Sequence, residues 1–262
     1  MITSPHNERV KQVRALVRRR VREREARFVV EGTRLVEEMV RAGAKPALVF
    51  YTPDWLASPP AQPLRSAFEQ AEAGAWPVSE AVMQACAETE SPQGVLAVVP
   101  FHHLPPRPGL ILIVDRLRDP GNLGTILRSA HAAGVGQVIL SPETVDLHNP
   151  KVVRGAMGAH FRLPAAALHW PAIVERLAGL AVWLADAAGE VAYDAVDWTQ
   201  PAALIVGGEA AGAGENASAL ATGRVRIPMA GGAESLNAAM AATVILFEAA
   251  RQGRSKTVVG LE

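Results

Sequence analysis

Cysteine is almost missing: Cys86 stands alone in 262 residues, which excludes a disulfide framework and every metal site built on paired thiolates. Long apolar runs are missing too. No stretch reaches the roughly 18 residues of a membrane-spanning helix. Nor is the basic N-terminus followed by the apolar segment of a signal peptide. Net charge is zero, with Lys+Arg and Asp+Glu at 26 each, so the chain as a whole has no bias toward a polyanion. Neither GxGxxG, GxxxxGKS/T nor GxSxG occurs, which removes the signatures of dinucleotide-binding, P-loop and serine-hydrolase sites.

The charge is nevertheless unevenly placed. Residues 1–27 hold nine basic side chains (Arg9, Lys11, Arg14, Arg18, Arg19, Arg20, Arg22, Arg24 and Arg27) against Glu8, Glu23 and Glu25, a net +6 that leaves −6 on the remaining 235. Such asymmetry points to an anionic surface, nucleic acid first. An Arg-rich start also fits a mitochondrial transit peptide, but those are acid-poor, and three interspersed glutamates argue against one. The expected compartment is the cytoplasm.

From Asn7 to Arg24, valine and leucine at 10, 13, 16, 17 and 21 mark one helical face, with arginines on the other. Arg18, Arg19 and Arg22 are expected to face solvent and neutralise phosphates. Strands are expected at 28–30, 47–51 and 95–99, and helices over 31–41 and 64–73. Three prolines and a glycine close the segment 101–109, marking a linker between a first domain, 1–100, and a second, 110–262. Beyond it, strands at 110–114, 137–140, 180–185 and 202–206 alternate with helical segments, 121–133 and 236–251 the clearest. This predicts an α/β fold with a parallel sheet covered on both faces.

Ligands of such sheets bind beyond the carboxyl ends of the strands, and three loops there carry unusual chemistry. The first, Asp115 to Gly124, contains Asn122 and runs into a helix carrying Arg128; Asn122 also suits an N-cap. The second, Val206 to Gly214, is glycine-rich around Glu209. The third, Ile227 to Asn237, places Ser235 as N-cap of the final helix with Asn237 in its first turn. No convincing triad forms around Ser235 from the scattered histidines. The final helix is apolar nearly all round, so more than one surface must bury it.

These residues resemble the three signature motifs of the SpoU (TrmH) family: Asn122-Leu-Gly-Thr-Ile-Leu-Arg128, Gly207-Gly-Glu209, and Ile227-Pro-Met229 with Ser235-Leu236-Asn237. Ser4-Pro5-His6-Asn7, Phe28-Val-Val-Glu31-Gly32 and Ser91-Pro-Gln-Gly94 likewise resemble the L30e-like RNA-binding module found in the family. The resemblance implies a C-terminal SPOUT α/β-knot domain, with a parallel sheet and deep trefoil knot, beside a smaller L30e-like α/β domain. It also implies methyl transfer from S-adenosylmethionine to a ribose 2′-hydroxyl in RNA. By the same resemblance, Asn122, Arg128, Glu209, Ser235 and Asn237 serve the acceptor, and backbone around Gly207, Ile227, Met229 and Leu236 holds the cofactor. No metal is required, and a homodimer through the second domain is implied. The L30e-like module favours 23S rRNA over tRNA as substrate. A non-catalytic RNA-binding protein is the alternative of another class, separable by cofactor binding. One departure from the family pattern is Ala210, where a glycine is usual.

Overall fold

The computed structural model describes residues 1–68, 71–208 and 212–259. The chain forms two compact units, one of residues 1–102 with 148–161, the other of residues 103–147 with 162–262. The sequence reading has the second domain run unbroken from 110 to 262. In the structure, residues 148–161 group with the first unit.

The first unit is built on a four-stranded sheet of β1 (Arg27–Glu31), β2 (Leu48–Tyr51), β3 (Ala75–Pro77) and β4 (Val95–Pro100), in the order β1-β4-β2-β3. β4 runs antiparallel to both neighbours, setting Val99 opposite Phe28 and Leu96 opposite Phe50, while β3 is parallel to β2. Strand side chains alternate between faces, and β4 shows it cleanly. Val95, Ala97 and Val99 join Phe28, Val36 and Met39 in one core, which Val153 and Phe161 of the returning segment complete. Leu96 and Val98 join Val10, Val13, Val82 and Met83 in the other.

The predicted N-terminal helix is two helices, Glu8–Ala15 and Arg19–Glu25. Val10, Val13 and Leu16 are buried, while Val17 is exposed where the chain breaks. A break frees carbonyls from the helical ladder, and Arg22 takes two of them: Nη1 donates to Leu16 O at 2.7 Å and Val17 O at 2.6 Å. Arg22 is therefore buried, against the expectation that it faces solvent. Arg19 is exposed but paired with Glu23 at 2.7 Å. The helix expected over 64–73 falls partly on residues 69 and 70, which lie outside the described residues, and its described part is short. Pro59, Pro60 and Pro63 favour a 3-10 helix at Pro59–Leu64, followed by one short turn, Arg65–Phe68.

The second unit carries a seven-stranded sheet, order β7-β6-β5-β10-β8-β11-β9. Its strands are β5 (Ile111–Asp115), β6 (Gln137–Leu140), β7 (Ala165–Ala167), β8 (Ala181–Ala185), β9 (Val191–Ala192), β10 (Ala202–Gly207) and β11 (Gly223–Arg226). All its pairings are parallel. Ile113, Leu184 and Ile205 pack on one face, and the alternate residues Leu112, Val114, Leu204 and Val206 are buried on the other, as a sheet covered on both sides requires. The helices Pro120–Ala133 and Ala238–Val259 pack along each other. Among the described residues, no helix is long and apolar enough to cross a membrane.

Candidate active site

The three loops converge at the ends of β5, β10 and β11. β5 ends in Asp115, whose carboxylate is fully buried and accepts from the Ser141 hydroxyl and, at 2.7 Å, from the Gly214 amide. One carboxylate thus ties the first loop to the end of the second. Arg116 follows with φ +55°, a backbone region that non-glycine residues rarely adopt.

The glycine pair of the second loop is steric in origin. A Cβ on Gly207 would lie 2.4 Å from the Ala213 nitrogen, and one on Gly208 would lie 2.5 Å from the Arg116 carbonyl oxygen. Only glycine lets this strand end close on its own loop and on the first. The Gly212 amide donates to Gly208 O at 3.1 Å, pinning the described ends of the loop. Glu209, and Ala210 beside it, lie outside the described residues.

Helix capping differs from the expectation at both key positions. Asp119, not Asn122, caps the helix Pro120–Ala133, accepting from the Asn122 amide at 2.7 Å. Asn237, not Ser235, caps the final helix, its Oδ1 accepting from Ala239 N at 2.9 Å and Met240 N at 3.3 Å. An amide side chain serves at both ends, so the Asn237 Nδ2 also donates to Asn122 Oδ1 at 3.1 Å. The two helices are joined again further along by the Ser129 and Thr243 hydroxyls at 2.8 Å. The sequence alone singles out neither hydroxyl. The i+7 spacing of Ser129 from Asn122, one helical face, was the signal available.

Arg128 lies six residues beyond Asn122, about 9 Å along the helix. It is exposed and makes no hydrogen bond or ion pair among the described residues. The structure therefore brings Asn122 and Asn237 into contact but leaves Arg128 reaching from the adjoining surface.

Gly207, Ile227, Met229, Ser235, Leu236 and Asn237 line one cavity of about 700 Å³, with Leu184, Asp186, Val206, Arg224 and Ile245 among its other walls. That volume lies within the usual range of small-ligand clefts. Among the described residues, no group of three or more His, Cys, Asp or Glu side chains could hold a metal ion.

Comparison with known proteins identifies the family. The SpoU rRNA Methylase family matches residues 109–247, and the MRM3-like substrate binding domain matches residues 7–97. The 23S rRNA (guanosine(2553)-2′-O)-methyltransferase RlmP of Bacillus subtilis is 33% identical, over 94% of this chain and 97% of its own. Mitochondrial rRNA methyltransferase 3 of Mus musculus is 33% identical, over 96% of this chain and 74% of its own. The crystal structure of the SpoU methyltransferase AviRb from Streptomyces viridochromogenes, in complex with S-adenosylmethionine, superposes with a TM-score of 0.85. It is 33% identical and covers 95% of this chain and 99% of AviRb. The chain belongs to the SpoU rRNA methylase family, the S-adenosylmethionine-dependent RNA (ribose-2′-O)-methyltransferases.

Proposed function

We propose that this protein methylates a ribose 2′-hydroxyl of large-subunit ribosomal RNA, with the acceptor seated at the Asn122–Asn237 junction beside the cavity. That junction is the observation that carries the reading. It ties the first loop to the third through two amide side chains, at the point where Asn237 lines the cavity.

The cavity fits a nucleoside with a sulfur-bearing tail: apolar walls from Leu184, Val206, Ile227 and Ile245, and strand-end backbone at Gly207 and Gly208. Gly207, Ile227, Met229 and Leu236 hold S-adenosylmethionine there, which supplies an activated methyl group. The difficulty lies with the acceptor, because a ribose hydroxyl is a very weak acid and must be positioned and helped to lose its proton. Arg128 keeps its own proton in a protein. It therefore acts by clamping a neighbouring phosphate and stabilising the developing alkoxide, rather than as a base. Asn122, Ser235 and Asn237 hold the ribose in register, and Glu209 orients the first loop.

Two observations support ribosomal over transfer RNA. The relatives named above are rRNA enzymes over nearly the whole of this chain, and the N-terminal unit matches a substrate-binding module. A homodimer through the second unit is supported by Met240, Val244 and Phe247, one exposed stripe on the final helix, with Leu236 exposed just before it. The SPOUT trefoil knot and a cytoplasmic site belong to the same reading. Incubating the enzyme and labelled S-adenosylmethionine with rRNA and with tRNA from a strain lacking the gene tests the proposal. Label is expected in one 2′-O-methylated nucleotide of large-subunit rRNA. Label in tRNA alone, or in neither RNA, overturns it.

A further inference from the structure

Asp186 follows β8 directly. β8 and β10 are paired in parallel with Ala185 opposite Val206, so Asp186 and Gly207 continue two neighbouring strands side by side into the cavity. Of the described residues lining that cavity, only Asp186 and Arg224 are ionisable. Asp186 is firmly set. Its Oδ1 accepts from the Ala188 amide at 2.9 Å, its Oδ2 from Arg224 Nη1 at 2.6 Å, and its own amide donates to Val225 O at 2.9 Å. The turn behind it is held by Arg226, which donates to Gly189 O at 2.7 Å and Glu190 O at 2.6 Å.

A carboxylate has about four acceptor sites, and these bonds use two of them. Arg224 already offsets the negative charge, so a second cation such as an ammonium gains little from approaching. Two neutral donors close together suit what remains. In nucleotide-binding parallel sheets, a glycine at one strand end lets backbone approach the ligand, while an acidic side chain takes ribose hydroxyls. We infer that the Asp186 carboxylate binds the vicinal hydroxyls of the cofactor's ribose, and so selects a ribonucleoside. The inference rests on the cavity being the S-adenosylmethionine site.

The test is calorimetric binding of S-adenosylhomocysteine and its 2′-deoxy and 3′-deoxy forms to the full-length protein, without RNA. The natural sequence is expected to bind at least one deoxy form about ten- to a hundredfold more weakly, the worth of a hydrogen bond to a charged group. Asp186→Ala should weaken the parent compound by a similar factor and abolish the deoxy penalty. Arg224→Gln, which keeps the carboxylate, should retain the penalty. If Asp186→Ala does not fold, Asp186→Asn replaces it, since its Oδ1 still serves the Ala188 amide while its Nδ2 no longer accepts. Equal binding of all three compounds by the natural sequence, or an undiminished penalty in the Asp186 variant, overturns the inference. Ala241→Phe fills the cavity and separates the two levels. If all three compounds still bind to it, the cavity itself is wrong; if binding is lost there yet Asp186 proves indifferent, only the ribose contact fails.

Discussion

Arg22 turns its guanidinium inward to serve two backbone carbonyls, whereas Arg128 is exposed and engages nothing among the described residues. Truncation should separate these uses. Arg22→Ala leaves Leu16 O and Val17 O without their charged donor. It is expected to lower stability by about 2–3 kcal/mol in urea unfolding, without changing the salt dependence of RNA binding. Arg128→Ala should leave stability and S-adenosylhomocysteine affinity unchanged while methyl transfer falls at least about a hundredfold, as when one preorganised charge donor is removed. Loss of cofactor affinity along with activity would contradict the division of roles. Sequence could not tell these arginines apart, because which of them turns inward depends on where the helix breaks. The break at 16–18 is set by packing of Val13 and Leu16 on the sheet. The site residues were more legible. Asn122 and Asn237 stand out from their motifs, but that they touch follows only from the two helices packing together.

The two N-terminal helices and the turn between them carry a cluster of basic side chains. Arg14, Arg18 and Arg20 are exposed there and form no ion pair among the described residues. Replacing the three with glutamine should flatten the slope of log affinity against log salt by roughly two units on single-stranded RNA. An unchanged slope would assign the surface no phosphate contacts. The final helix makes a different prediction. Glu248 is held down to about 2 by hydrogen bonds from Arg251 and Gln252, and Gln252 in turn accepts from Trp198 N at 2.9 Å and donates to Val196 O at 3.0 Å. A carboxylate with a lowered pKa stabilises the fold fully above its unfolded value near 4.5, and loses that contribution as pH falls toward 2. Glu248→Gln should therefore melt slightly below the natural sequence at pH 7, and the difference should vanish as pH drops through this window. The strongly apolar strands β5, β6, β8 and β10 were readable from composition alone. β7, β9 and β11 were not: Ala165–Ala167 is three alanines, and Gly223–Arg226 holds one valine. These segments are strands because a neighbour's edge accepts them, a tertiary effect that local propensity does not carry.

For the whole molecule, the exposed stripe of Met240, Val244 and Phe247 predicts its own cover. Sedimentation at micromolar concentration should show a dimer, and Met240→Asp combined with Phe247→Asp should yield monomers. A monomeric natural sequence would refute the pairing. A linker after Phe101 can be proposed from the sequence, since prolines and glycine mark one locally. The return of residues 148–161 into the first unit cannot. Its signature is a set of ring contacts, His148 stacked on Phe101 at 3.8 Å and Phe161 on Phe28 at 6.1 Å, and no local pattern announces a partner 47 or more residues away.

That return has a consequence for how the protein is made. Residues 1–102 leave the ribosome well before Val153 and Phe161, which complete one of their two cores. Another 59 residues must be translated first, roughly 3–12 s at ordinary elongation rates. Through that interval the nascent unit shows the ribosome a sheet face that is not yet closed. Its last pieces arrive only after β5 and β6 of the other unit have emerged. The order of synthesis thus interleaves two folding events that a linear domain map would keep apart. A stalled chain ending near residue 130 should be cut by protease within the first unit, and one extended past residue 200 should resist.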